Sequence, residues 1–320
     1  MKRVGILASG GDAPGMNAAI RALVRAGDFA GFKMIGIKRG YEGLIDNDFM
    51  EMNLRSVGGI IHRGGTVLRT SRSKRFMTER GRNTAIENLR KNQIDSLIVI
   101  GGEGSLKGAL ELSDNGVNCM VLPGTIDNDM GYTDYTIGFD TAVNTVLSGI
   151  SNIRDTASSH GRATLIEVMG RHCGDIALYA GIAGGADSIM IPEIPTSIEE
   201  ICRKLKEGKE RGKTHNIIIK AEGVELENQF IAEKIFESLG QKTNIVVLSY
   251  LQRGGAPTAE DRLRASLMAV KAIKLIEQNE NSSAIGVSRN EIISIPLKEA
   301  SKIKKEADLE KIAIIDMLAK

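Results

Sequence analysis

The sequence predicts an α/β fold in which parallel strands alternate with helices, spread over two domains. Short apolar runs recur along the chain, and each ends in a glycine-rich turn. Between them lie amphipathic segments with helical spacing. The length of 320 residues exceeds one core, since a domain typically takes roughly 100–200 residues.

The elements follow in order. Residues 4–8 are apolar and open onto Ser9-Gly10-Gly11-Asp12; residues 18–26 carry helical periodicity, as do residues 83–91. Residues 97–100 run into Gly101-Gly102-Glu103-Gly104-Ser105, and Val121-Leu122 into Pro123-Gly124-Thr125-Ile126-Asp127-Asn128-Asp129. A helix is expected over 141–155. Residues 165–169 lead to Gly170-Arg171, residues 217–219 to Glu222-Gly223, and residues 245–248 to Gln252-Arg253-Gly254-Gly255, before a last helix over 261–278. Uninterrupted apolar runs of this length read as strands buried on both faces. The glycine turns then fall at the strands' carboxyl ends, the edge where open α/β sheets bind ligands.

Composition narrows the function. A net charge of +2 gives no global basic field for nucleic acid. No apolar run approaches the ~20 residues that span a bilayer, and the amino-terminal apolar stretch is too short for a secretion signal. Cys119, Cys173 and Cys202 are odd in number and widely spaced, which suits neither a zinc site nor a disulfide framework. A cytoplasmic protein without membrane or nucleic-acid partners is expected.

Several motifs admit two readings. Gly10 to Asn17 precedes a helix, so its amides could face a phosphate, or it is a tight strand-to-helix turn. Its spacing is not that of a Walker A loop. Gly102-Glu103-Gly104-Ser105, with Gly108 beyond, lacks the third glycine of a dinucleotide fingerprint, which disfavours an oxidoreductase. Glu103 is a Mg²⁺ ligand or a solvated loop acid. Asp127 and Asp129 fall on one side if their segment is extended, as a base and a metal ligand; alternatively the run is an Asx-rich turn. Arg72, Arg162, Arg171 and Arg253 sit near these turns, and arginine binds phosphate in bidentate fashion. Arg21 and Arg25 share a helix face, as a second anion site or as surface ion pairs. His62, His160, His172 and His215 have no metal spacing and read as structural.

Taken together, GGDAPGMNAAIR, IHRGGT, IGGEGS, PGTIDND, YTIGFDTA, RDTASSHGR, EVMGRHCGD, AEGV and QRGG stand in the order and spacing of the bacterial ATP-dependent 6-phosphofructokinase family, which the chain resembles as far as about Ile285. The resemblance implies two doubly wound domains with the active site in the cleft between them. The expected division is 1–138 plus about 251–300 for ATP, and 139–250 plus about 301–320 for the sugar phosphate. It implies glycolytic phosphoryl transfer from ATP, with Mg²⁺, to the 1-hydroxyl of fructose 6-phosphate. Asp127 would be the base. Thr125, Arg72, Arg171 and Gly11 would serve the transferring group. Tyr41, Gly102, Glu103, Gly104, Ser105 and Gly108 would meet the nucleotide, and Glu103 and Asp129 would hold Mg²⁺. Arg162, Met169, Gly170, Arg171, Glu222, Asn244, Tyr250 and Arg253 occupy sugar-phosphate positions. In the family Arg162 reaches a neighbouring subunit's site, so a homotetramer is implied. Small residues at Gly104 and Gly124 favour ATP over pyrophosphate.

Arg21, Arg25, Arg154, Gly185, Asp187, Arg211 and Lys213 match an effector site for ADP or phosphoenolpyruvate. Leu54 and Gly59 depart from that site's charged pattern. Glu103 stands for the usual Asp, Asn244 for the usual Arg and Tyr250 for the usual His. These departures imply weakened fructose 6-phosphate binding, another phosphorylated ketose as substrate, or a regulatory paralogue with little activity.

Overall fold

The computed structural model describes residues 1–318 apart from Thr196. The chain divides into two compact units, Met1–Thr141 with Arg253–Lys305, and Ala142–Gln252 with Glu306–Lys320.

The first unit opens with β1 (Arg3–Ala8), α1 (Met16–Phe29), β2 (Lys33–Ile37), α2 (Gly40–Ile45), β3 (Phe49–Met52), α3 (Glu79–Lys91), β4 (Ser96–Gly101), α4 (Glu103–Asp114) and β5 (Asn118–Pro123). Helix α5 (Phe139–His160) begins there and continues into the second unit. That unit holds β6 (Ala163–Val168), α6 (Asp175–Gly184), β7 (Ser188–Met190), α7 (Ile198–Glu210), β8 (Asn216–Ala221), α8 (Asn228–Leu239) and β9 (Thr243–Val247). A 3₁₀ turn over Ser249–Arg253 follows. The chain returns to the first unit with α9 (Ala259–Glu277), β10 (Ser283–Ser288), β11 (Glu291–Pro296) and α10 (Leu297–Ala300), and α11 (Leu309–Leu318) belongs to the second.

The first sheet has the order β11-β10-β5-β4-β1-β2-β3. Its centre, from β10 to β2, is parallel, as buried all-apolar strands predict. Its edges are not: β3 pairs antiparallel with β2, and β11 with β10. Alternating polar residues such as Glu51 and Glu291 suit these half-covered edges, so the sheet is mixed rather than purely parallel. Strand order reverses beside β1, which lies between β2 and β4. A crevice at the carboxyl ends of β1 and β4 is therefore the place for a ligand. One face of the sheet buries Leu7, Leu97, Val99 and Val121 against Leu44, Ile86, Leu89, Leu106 and Leu112.

Local chemistry sets the helix starts. Gly15 precedes α1 at φ +105, and a Cβ there would lie 2.7 Å from Ile137 Cγ2; only glycine meets both demands. Thr78 caps α3 by accepting from the Gly81 N–H at 3.1 Å. Helix α1 buries Ile20, Leu23 and Val24 and packs on α9. At the start of α9 a buried carboxylate, Asp261, accepts from the Gly138 N–H at 2.7 Å, the Thr141 N–H at 2.8 Å and the Thr141 hydroxyl. It thereby fixes the first turn of α5 to α9.

The second sheet, β7-β8-β6-β9, is parallel throughout. Ala163, Leu165 and Ile218 pack under Ile201, Leu205, Ile231 and Ile235. Residues 245–248 read as a buried strand in the sequence. The structure puts β9 at the sheet edge, with Ile245 38% and Val247 52% exposed.

Candidate functional site

The crevice expected beside β1 is a pocket of about 670 Å³ lined wholly by first-unit residues, within the range of small-molecule sites. Its floor is the turn after β1 (Ser9, Gly10, Gly11) and the start of α4 (Gly102, Glu103, Gly104, Ser105). The first amides of α4 have no intrahelical acceptors and carry the positive end of the helix dipole, so an anion is favoured there.

Close packing shapes this floor. Ser105 is buried and its hydroxyl donates to Ser9 O at 3.0 Å, tying the two turns together. The Tyr41 hydroxyl donates to Ser105 O at 2.7 Å, and its ring stacks on Phe76 with centroids 4.1 Å apart. Burial first, and the nearby Cys119 thiol second, hold the Tyr41 pKa well above its usual value, so it remains a neutral donor. A Cβ on Gly108 would sit 2.7 Å from the Tyr41 ring; glycine there makes room for the aromatic wall. Beyond Gly104 the space is open, whereas a Cβ on Gly124 would meet Ile100 Cγ2 at 2.9 Å.

The opposite wall is the run from Thr125 to Asp129. Asp127 and Asp129 both line the pocket, but not by strand alternation. Asn128 between them is left-handed at φ 52, and the segment is a turn. The buried Asn128 side chain holds it, accepting from the Thr136 N–H at 3.0 Å and donating to Asp134 O at 3.3 Å. The Asp127 N–H donates to the Thr125 hydroxyl at 3.2 Å. The contact is a Ser/Thr turn rather than an Asx turn, and this bend in the chain is what brings both acids to the pocket.

Arg72 and Arg253 complete the pocket. Arg253 donates to Asp12 O at 3.4 Å, and a Cβ on Gly11 would collide with its guanidinium. At the rim Glu103 pairs with Lys107 at 2.6 Å, and Arg82 with Glu111 at 3.2 Å. Phe76, Met77, Arg82, Lys107 and Glu111 were not legible as site residues. They lie on a loop and on helix faces without motif character; only the one-turn spacing of Glu103 and Lys107 signals a pair.

The remaining predicted residues lie on the second unit, apart from Arg21 and Arg25 on α1. Met169, Gly170, Arg171 and Glu222 gather beyond the carboxyl ends of β6 and β8, where Glu222 N–H donates to Val168 O at 2.8 Å and Gly223 N–H to Gly170 O at 3.1 Å. Gly170 takes φ +134, and a Cβ there would meet Cys173 O at 2.5 Å. Tyr250, on the 3₁₀ turn, is 77% exposed. Arg162 precedes β6 and Asn244 is near the start of β9. Both therefore stand at the opposite edge from Arg171, across a six-residue strand of roughly 20 Å. Asp187, Arg211 and Lys213 line a separate pocket of about 270 Å³. Asp187 there pairs with Lys213 and accepts from the Ile217 N–H at 2.6 Å. Arg154 donates to Gly185 O at 3.0 Å.

Amides at a helix start, arginines and two converging aspartates at a topological switch point define a phosphate-handling α/β protein. A model of the phosphofructokinase family matches residues 3–276. An ATP-dependent 6-phosphofructokinase from Alkaliphilus metalliredigens is 54% identical over 319 residues, covering 100% of both chains. The chain belongs to the phosphofructokinase family. Its fold also matches phosphofructokinase from Saccharomyces cerevisiae (TM-score 0.87, 38% identity, 94% of this chain and 45% of that one). Pichia pastoris phosphofructokinase in the T-state matches with a TM-score of 0.91 and 35% identity, over 99% of this chain and 39% of that one. This chain spans less than half the length of either yeast chain.

Proposed function

We propose that this chain transfers the γ-phosphoryl group of ATP to the 1-hydroxyl of fructose 6-phosphate, forming fructose 1,6-bisphosphate and ADP. The observation that carries this is a single switch-point pocket uniting helix-start amides, Arg72, Asp127 and Asp129, in a chain 54% identical to an enzyme named for this activity.

The polyphosphate lies along Gly11 and the Gly102 to Ser105 amides, with the base toward Tyr41 and Gly108. Asp127 accepts the proton of the attacking hydroxyl as its oxygen bonds to phosphorus and the bond to the ADP oxygen breaks. Thr125 and Arg72 orient the transferring group and offset its charge.

Mg²⁺ fits this pocket. Among the described residues no cluster of three acid, His or Cys side chains could hold a metal by itself. Mg²⁺ takes one or two carboxylates and completes its shell with phosphate oxygens and water. Glu103 and Asp129 supply the carboxylates; the ion would neutralise charge on the nucleotide phosphates. Glu103 must release Lys107, but an exposed pair one helical turn apart is worth only about 0.2–0.5 kcal/mol, too little to compete with a divalent cation.

Gly170, Arg171, Glu222 and Met169 hold the sugar phosphate. Arg162 stands roughly 20 Å from them along the strand, so a second copy must bring its own Arg162 to the same ligand. An oligomer, a homotetramer by family likeness, is the active form. By family likeness, Arg154, Gly185, Asp187, Arg211 and Lys213 of the second unit, and separately Arg21 and Arg25 of the first, are effector positions for ADP or phosphoenolpyruvate. By family likeness the enzyme works in the cytoplasm. Among the described residues, no helix is long and apolar enough to cross a membrane.

Asp127→Ala tests the role of the base. The variant should lose at least about a hundredfold in kcat while calorimetry shows ATP binding retained. An active variant would remove Asp127 from that role.

A further inference from the structure

At the amino-terminal edge of the second sheet lies a further pocket, of about 750 Å³. His160, Arg162, Lys209, Lys213 and Lys242 line it beside Phe236, and no carboxylate does among the described residues. The carboxyl ends of α5, α7 and α8 meet here, and cations at helix carboxyl ends ordinarily complement the dipole. Part of the charge is accounted for in this way. Lys209 donates to Leu239 O at 2.8 Å, His160 Nδ1 lies 2.9 Å from Thr156 O, and Lys213 pairs with Asp187.

Arg162 and Lys242 remain. Neither side chain has a hydrogen-bond or ion-pair partner among the described residues. They are also neighbours by register. Strands β6 and β9 are parallel with Ala163 opposite Thr243, so the residues just before these strands sit side by side, about 4.8 Å apart at the backbone. Two unneutralised cations facing one pocket match the charge of a phosphate monoester, which can accept from both. Position 244, on the same strand, carries no charge; the cation stands two residues earlier.

We propose that Lys242 is a sugar-phosphate-binding residue, acting beside Arg162 as a clamp on the phosphate of the ligand held by a second copy of this chain. This rests on the activity proposed above and extends it to a residue outside the matching motifs.

The test compares wild-type full-length chain with Lys242→Gln and Lys242→Arg, by steady-state kinetics and by calorimetry with fructose 6-phosphate and with inorganic phosphate. In Lys242→Gln the KM and Kd for fructose 6-phosphate should rise about tenfold, the loss expected for one charged phosphate contact. The KM for ATP and the kcat at saturating sugar should stay within about twofold, the signature of a binding contact. Lys242→Arg should restore the wild-type values, which a merely structural role would not give. Unchanged fructose 6-phosphate affinity in Lys242→Gln overturns the proposal, and a loss confined to inorganic phosphate overturns it in favour of a free-anion site. Absence of wild-type turnover would instead overturn the activity, while the calorimetric comparison would still decide Lys242.

Discussion

Replacing Gly104 by Asp puts the nucleotide assignment at risk. Gly104 is the second residue of α4, and a Cβ built on it meets nothing within 4 Å. The aspartate therefore enters without steric cost. It should not weaken the helix, because glycine is the poorer helix former and an acid suits the first turn. Its carboxylate projects into the space assigned to the nucleotide phosphates. Two like charges about 4 Å apart repel by about 1 kcal/mol in bulk water and about 4 kcal/mol at an effective dielectric near 20. This half-open pocket lies between these limits, so about 2 kcal/mol is expected, or roughly a thirtyfold rise in KM for ATP. A coupled assay of ADP release measures it. The KM for fructose 6-phosphate should move less than about twofold, because binding of that ligand is untouched. Gly104→Ala, which adds a methyl without charge, should change the KM for ATP far less. Raising the ionic strength should shrink the Asp penalty. A Gly104→Asp enzyme with wild-type KM for ATP and an undiminished melting temperature would refute the placement of the polyphosphate along α4.

The remaining predictions concern stability and the sugar site. Burial lifts the Asp261 carboxyl from 3.8 to about 6, against hydrogen bonds from Thr141 and Gly138. A folded pKa raised above the unfolded one means stability is fully present below about pH 4 and is lost as pH climbs to about 6; the loss is about 3 kcal/mol. Asp261→Asn cannot titrate, so urea unfolding should show the wild-type advantage shrinking by that amount between pH 4 and 6.5; parallel profiles would contradict the burial argument. The double variant Tyr250→His, Asn244→Arg should lower the KM for fructose 6-phosphate by about tenfold or more, since one charged contact carries about 1.5–3 kcal/mol. No gain would show that these two positions do not limit sugar binding.

Legibility in the sequence followed the range of the interaction. Residues 97–100 are apolar and followed by Gly101 and Gly102, so the strand and the turn that lines the pocket at its end could both be read from neighbouring residues. The same holds for Gly11, Glu103 and Ser105. Asp127 and Asp129 were legible as a pair, but through the wrong geometry; they converge because Asn128 is left-handed and clamped by Thr136, a contact within one loop that leaves no periodic pattern in the sequence. The antiparallel edges at β3 and β11 depend on what covers each face. So does the exposure of β9, whose Ile245 and Val247 resemble core residues in sequence. Phe76 and Arg82 enter the pocket because α3 packs against α2 and α4 and the Phe76 ring, on the loop before it, stacks on Tyr41. Asp261 holds the start of α5 across 123 residues, a separation that no window of local sequence spans.

The central claim is phosphoryl transfer from Mg-ATP to the 1-hydroxyl of fructose 6-phosphate. The most direct measurement is ADP release by the purified protein with Mg-ATP and fructose 6-phosphate, the product identified by phosphorus NMR, with tagatose 6-phosphate and sedoheptulose 7-phosphate run in parallel. Efficient turnover of fructose 6-phosphate to the 1,6-bisphosphate is the expected result, with Tyr250 and Asn244 tolerated. Turnover of only another ketose phosphate, or ATP binding with no turnover of any of the three, would contradict it.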